Sequence, residues 1–285
     1  MDLKTLVDQP GKLPTVPKIV QKLIESFNAD NIPSTEIAQQ IASDPALSAK
    51  LLRLANSAYF HVSRTVGTVD DALRMLGFVM VRNLVLSSGM VAAFRNTPGI
   101  NLPRFWRYTL YTACTARWLA ERAEVNGDMV FTLSMMHGIG QLQMHLCIPP
   151  DVLKPLDAQA GVLDPRRADL ERAQLGFHYG QVSSELARIW HFPEALITAL
   201  AHVPEPLAAT KFDAPAALVH IGCWRARAAV LDWSADEARE AYPAAVADRL
   251  ALAPDWTDLL APDGDPKRWM PSFETLTLGL DSLLD

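Results

Sequence analysis

Apolar residues recur along almost the whole of this 285-residue chain at steps of three and four, the period of an α-helix, and no sustained two-residue alternation appears before residue 270. The pattern predicts an all-α fold. Ile19, Leu23 and Phe27 recur in fours, and Ile37, Ile41 and Leu47 continue an apolar face after a turn at residues 31–34. Asp44 before Pro45 is a helix start, because a carboxylate accepts from free first-turn amides and proline is tolerated where no N–H is needed. The helix it opens carries Leu47, Leu51, Leu54, Ala55 and Ala58 on one side. Thr68 and Asp71 resemble a capping box with the shorter acid, ahead of a stop at Gly77 and a further apolar helix over 79–94. Residues 96–103, with two prolines and a glycine, break the pattern. Pro103 then opens a long helix to a stop at Asn126-Gly127, after which Asp128 is placed to cap the next. Helical segments are expected at 167–176, 179–191, 193–202 and 213–230. Thr275–Leu280 alternates, but Phe273, Leu276, Leu280 and Leu284 also satisfy a helix, and a lone strand would have no partner.

With 49% hydrophobic and 20% charged residues the chain is too apolar to be disordered, and its length suits one large domain or two packed subdomains. Its net charge of -6 offers no field to hold a polyanion, so nucleic acid is not an expected partner. Cys114, Cys147 and Cys223 are odd in number and far apart, which argues against a disulfide framework and a zinc knuckle and for core residues in a reducing cytoplasm. The first residues contain no apolar stretch of about 7–15 residues such as export requires. Residues 129–150 lack Asp, Glu, Lys and Arg and are long enough to span a bilayer, yet they contain His137, Gln141, Gln143 and His145 and end in two prolines. A buried helix containing a polar site is expected there, and membrane insertion is not. Residues 232–285 hold 12 acids and four bases, a net of -8 that leaves the rest at +2. Trp233, Trp256, Trp269 and Phe273 mark them as an acidic helical extension docked on the body.

Four histidines, His137, His178, His202 and His220, invite a metal reading. A di-metal phosphohydrolase needs imidazoles, carboxylates to bridge the ions and an open position for hydroxide. Carboxylates are what this region lacks: none lies between Asp128 and Asp151, so His137 reads as a satisfied core histidine more readily than as a ligand. Asn56 and Ser57 either bond the last carbonyls of their helix or, with Arg53, Arg74 and Arg82, border a groove for an anionic partner or nucleotide. Trp106 and Trp118 read as core, and the turn Gly176-Phe177-His178-Tyr179-Gly180 lets a helix begin close to its neighbour, with His178 facing core or cavity.

Leu13-Pro14-Thr15-Val16-Pro17, the run from Ile41 through Asp44-Pro45-Ala46-Leu47 to Asn56-Ser57-Ala58, and Ala72-Leu73-Arg74-Met75-Leu76-Gly77 resemble the HDOD family. Trp106, Met136-His137-Gly138-Ile139-Gly140, Gly176-Phe177-His178, Trp190-His191-Phe192-Pro193 and Ala201-His202 extend the resemblance, which covers roughly residues 13–225. It implies an N-terminal helical part over 1–96, a degenerate HD-like helical subdomain over 97–231, and an extension over 232–285 that it does not reach. The catalytic HD pattern would place a histidine near 108, a His-Asp pair at 137–138, histidines near 178 and at 202–203, and an aspartate near 223. This chain keeps His137, His178 and His202 but has Tyr108, Gly138, Val203 and Cys223 elsewhere. The resemblance therefore implies a non-catalytic bacterial signalling protein that binds other signalling proteins and needs no cofactor. Its alternatives are a nucleotide or cyclic-dinucleotide sensor built on the old cavity, and a residual phosphohydrolase with His137, His178 and His202 around one zinc or similar divalent ion. Arg53, Asn56, Arg74, Arg82 and Tyr108 are the candidate ligand or partner residues.

Overall fold

The helix starts foreseen at Asp44 and Thr68 are made by those side chains: Asp44 Oδ1 accepts from the amides of Ala46 and Leu47 at 3.0 Å, and Thr68 Oγ1 from that of Asp71 at 3.0 Å. A computed structural model describes all of the chain except residues 1, 10, 15–17, 28–32, 58–59, 61, 63, 253–270, 281–282 and 285. Thr15–Pro17 and Ala58 of the family motifs, Asn31 of the expected turn, and Trp256 and Trp269 lie outside the described residues. Among the described residues there is no strand.

The first half comprises α1 (Leu3–Val7), α2 (Lys18–Glu25), α3 (Ser34–Ser43), α4 (Pro45–Ala55), α5 (Val69–Leu76) and α6 (Phe78–Ala93). Helices α2, α4 and α5 pack on α6, with α3 against those three, and α6 is apolar on all sides because it is buried on nearly all of them. Gly77, at φ +78°, supplies the left-handed residue between α5 and α6. The second half comprises α7 (Leu102–Arg122), α8 (Gly127–Met136), α9 (Ile139–Cys147), α10 (Pro150–Gln159), α11 (Arg167–Leu175), α12 (Tyr179–Ile189), α13 (Glu194–His202) and α14 (Ala214–Val230). The long helices α7 and α14 lie side by side with α8 against both, and α12 packs between α9 and α13. Helix α6 joins the two halves through α8, and α1 crosses over to seat Leu6 and Val7 on α9 and α12.

Two expectations change. Residues 129–150 form two helices rather than one, broken at His137 and Gly138. Ser183 of α12 makes the break affordable in hydrogen bonds, since its hydroxyl donates to His137 O at 2.9 Å and accepts from Gly140 N at 2.8 Å. Most polar groups of this stretch find partners, among them Gln141 on Val162 O and His145 on Asp157, while Gln143 Oε1 is buried without one. At the start of α8 the cap is Asn126, which accepts from Met129 N at 3.0 Å, while Asp128 pairs with Arg117 at 3.3 Å. No single helix among the described residues is long and apolar enough to cross a membrane.

The last helices are α15 (Ala235–Glu240), α16 (Ala244–Arg249) and α17 (Phe273–Thr277). They dock as expected of an extension: Trp224 Nε1 donates to Ala238 O at 2.8 Å, Phe273 stacks on Tyr111 with ring centroids 4.1 Å apart, and Leu280 and Leu283 are buried.

Helices α9 and α12 meet backbone to backbone at Gly140, where an added Cβ would lie 2.0 Å from Tyr179 O. Gly140→Ala is therefore expected to cost about 3 kcal/mol or more in urea unfolding, as overpacking against rigid backbone does. Gly161→Ala, where a Cβ meets nothing within 4 Å, is the near-neutral control.

Candidate functional site

The packing of α7, α8 and α14 brings Tyr108, His137 and Cys223 together in the interior, with Tyr179 from the start of α12 and Arg227 one turn beyond Cys223. A carbonyl cannot donate, so His137 Nδ1–H donates to Ser134 O, and Nε2 lies within hydrogen-bond distance of the Tyr108 hydroxyl at 3.2 Å. Both imidazole nitrogens are thus engaged. Burial opposes ionisation of the Cys223 thiol, but the His137 ring, Arg227 and a Tyr108 hydrogen bond bring it down to about 7. Burial raises the Tyr108 phenol well above its usual range, with Arg227 acting against it. Beside this cluster lies a cavity of about 70 Å³ lined by Tyr179, His220, Cys223, Arg227 and Trp233. It shares Pro165 and Trp233 with a surface groove of about 570 Å³ that also includes Arg104, Asp157 and Arg166.

The turn that delivers Tyr179 is held by a buried ion pair. Gly176, at φ +83°, ends α11, and His178 caps α12 by accepting from Gly180 N at 3.1 Å through Nδ1. Glu171, fully buried, accepts from Tyr179 N at 2.7 Å and from Arg167 Nε at 2.7 Å. Arg167 Nη1 goes on to Asp157 at 2.6 Å and Ala160 O at 2.7 Å. Neither Arg167 nor Glu171 was anticipated, although their i, i+4 spacing on one helix was there to be read. Arg227 was missed as well, although it stands one turn from Cys223.

His178 and His202 lie within electrostatic reach of each other, and His137 faces Tyr108 instead. With Nδ1 of His178 spent on a helix cap and both nitrogens of His137 engaged, the three imidazoles as placed do not fit a metal ion. Among the described residues no group of three or more His, Cys, Asp or Glu is placed to hold one. An aspartate at 138 would have to displace the buried Phe105 ring, since a Cβ there would lie 2.9 Å from its Cζ.

The arginine groove is not assembled as expected. Asn56 spends its whole side chain on backbone, donating to Leu52 O and Val66 O at 2.8 Å and accepting from Val66 N at 2.7 Å, which ties the loop after α4 back to its end. Arg53 and Arg74 are exposed on α4 and α5. Arg82 lies over the Phe27 ring at 3.6 Å and lines a different cleft with Asp128 and Pro193. Asn56→Ala should cost about 2 kcal/mol in denaturant unfolding through the buried groups it strands.

His178 and His220 are both pushed down to about 4 by burial first, then by Arg172 and His202 at His178 and by Arg227 at His220. The unfolded chain takes up these protons near pH 6.5 and the folded chain only near 4, so stability is full above the upper value and falls as pH drops between them. His178→Asn keeps a capping acceptor and removes one titration. It is expected to flatten the slope of unfolding free energy against pH in this window by up to about 1.4 kcal/mol per pH unit.

Residues 13–206 match the model of the HDOD domain. A curated relative from Treponema pallidum, itself uncharacterized, is 24% identical over 218 residues, which are 70% of this chain and 40% of that protein. A solved structure from Shewanella amazonensis, provisionally described as a phosphohydrolase, is 27% identical with a TM-score of 0.72 over 88% of both chains. One from Marinobacter aquaeolei, provisionally described as a signal transduction protein, is 22% identical with a TM-score of 0.71 over 99% of this chain and 59% of that one. This chain spans well under two thirds of the curated relative. Helical fold, capped Asp44-Pro45 helix, Asn56 clamp and matched domain together make this chain a member of the HDOD family.

Proposed function

We propose that this chain is a non-catalytic regulatory protein that works in the cytoplasm of a bacterium by binding other signalling proteins. The observation that carries this reading is the Phe105 ring against Gly138: the place of a metal-bridging carboxylate is taken by packed core. At the other carboxylate position stands Cys223, hydrogen-bonded within the cluster rather than open to a substrate. Without bridging carboxylates there is no group to hold a second metal or to balance the charge of two. The cavity at the old centre, about 70 Å³, is far below the ~300–1,000 Å³ of sites that enclose a small organic ligand. By itself it cannot enclose a whole nucleotide. The HDOD match and the description of the Marinobacter relative as a signal transduction protein favour the regulatory reading. The description of the Shewanella relative favours the enzymatic one, and the test separates them.

Freshly purified protein is assayed for bound metal by plasma mass spectrometry, and for turnover of nucleoside phosphates and cyclic dinucleotides with magnesium, manganese or zinc supplied. Substoichiometric metal and no turnover are expected, together with a defined complex reconstituted from this chain and a signalling protein crosslinked to it in cells. Stoichiometric metal that is lost with turnover in the His137→Ala, His178→Ala double variant would overturn the reading.

A further inference from the structure

We infer that the small cavity beside Cys223 is a binding site for one phosphate-class oxyanion, held by the guanidinium of Arg227. Arg227 is 8% exposed, its Nε has no hydrogen-bond partner, and no carboxylate lies within ion-pair distance of it among the described residues. Asp164, which feels its charge, is itself engaged by Arg166 at 2.7 Å. An unpaired buried guanidinium is costly, and the same fold shows the ordinary remedy in Arg167, which is closed on by Glu171 and Asp157. At Arg227 that remedy is replaced by open space.

The shape and chemistry of that space select the ligand. About 70 Å³ holds a few waters or one tetrahedral oxyanion and excludes a nucleoside. Arg227 offers a planar donor fork of the kind that clamps phosphate, and Tyr179 lines the same cavity. His220 Nδ1 donates to Val203 O at 2.9 Å, and the ring is neutral near pH 7, so it adds neither a competing cation nor an anion. Pro165 and Trp233 line both this cavity and the larger groove. The oxyanion therefore has two sources, free phosphate or the phosphoryl end of a monoester whose remainder lies in the groove. This goes beyond the regulatory reading and does not rest on it, since neither turnover nor a partner is involved.

The test is calorimetric titration of inorganic phosphate, sulfate and glycerol 3-phosphate into the full chain at low chloride, with melting temperature followed in parallel. One site per chain is expected, weakened at least about tenfold in Arg227→Gln, weakened less in Arg227→Lys, and retained in Cys223→Ser. Ala168 lines the cavity, so Ala168→Leu should block binding without touching a charge. Preference for phosphate assigns the site to the free ion, and preference for glycerol 3-phosphate assigns it to an ester. Absence of both heat and thermal stabilisation in wild-type protein up to about 10 mM anion would overturn the inference, as would undiminished binding in folded Arg227→Gln.

Discussion

Two helix pairs touch backbone to backbone, and the position of every group in the candidate site depends on that. At Gly222 an added Cβ would lie 2.8 Å from Thr112 O, so α7 and α14 run as close as helices can; at Gly140 the carbonyl of Tyr179 closes the gap between α9 and α12. Tyr108 stands one turn before Thr112 and Cys223 follows Gly222, which is why phenol, imidazole and thiol meet in one dry cluster. The same closeness leaves Phe105 against Gly138 and takes away the volume a metal-bridging carboxylate would use.

Buried charge is handled in three ways within a short distance. Arg167 is paired with Glu171 and Asp157, and the pair holds the turn at 176–180 through the Tyr179 amide. Arg225, brought down to about 9 by burial, donates to Pro271 O and lies under Phe273, which binds the C-terminal segment to α14. Among the described residues Arg227 has neither a carboxylate nor a chain carbonyl to answer its charge, and it lines a cavity instead. Of the three, only the last is left for something outside the chain to complete.

The histidines of the family motifs serve the backbone. His137 ends α8 and ties Ser134 to Tyr108, and His178 starts α12 as a cap. An imidazole that caps a buried helix must stay neutral to accept, so the depressed titration of His178 belongs to its structural task as much as to its burial.

The all-helical class, the helix starts at Asp44 and Thr68, and the core placement of the cysteines were legible in the chain because they are local or periodic properties, set by side chains a few residues apart. The two open alternatives at Asn56 and His178 were visible as alternatives, and contacts ten residues off or across a turn give each a hydrogen bond to backbone. What the chain alone did not yield were the break at Gly138, the Arg167–Glu171 pair, and the uncompensated Arg227 facing its cavity. Each arises where helices distant in sequence close on one another, and whether a buried group is answered or left open is settled only by the volume and partners that such closure brings.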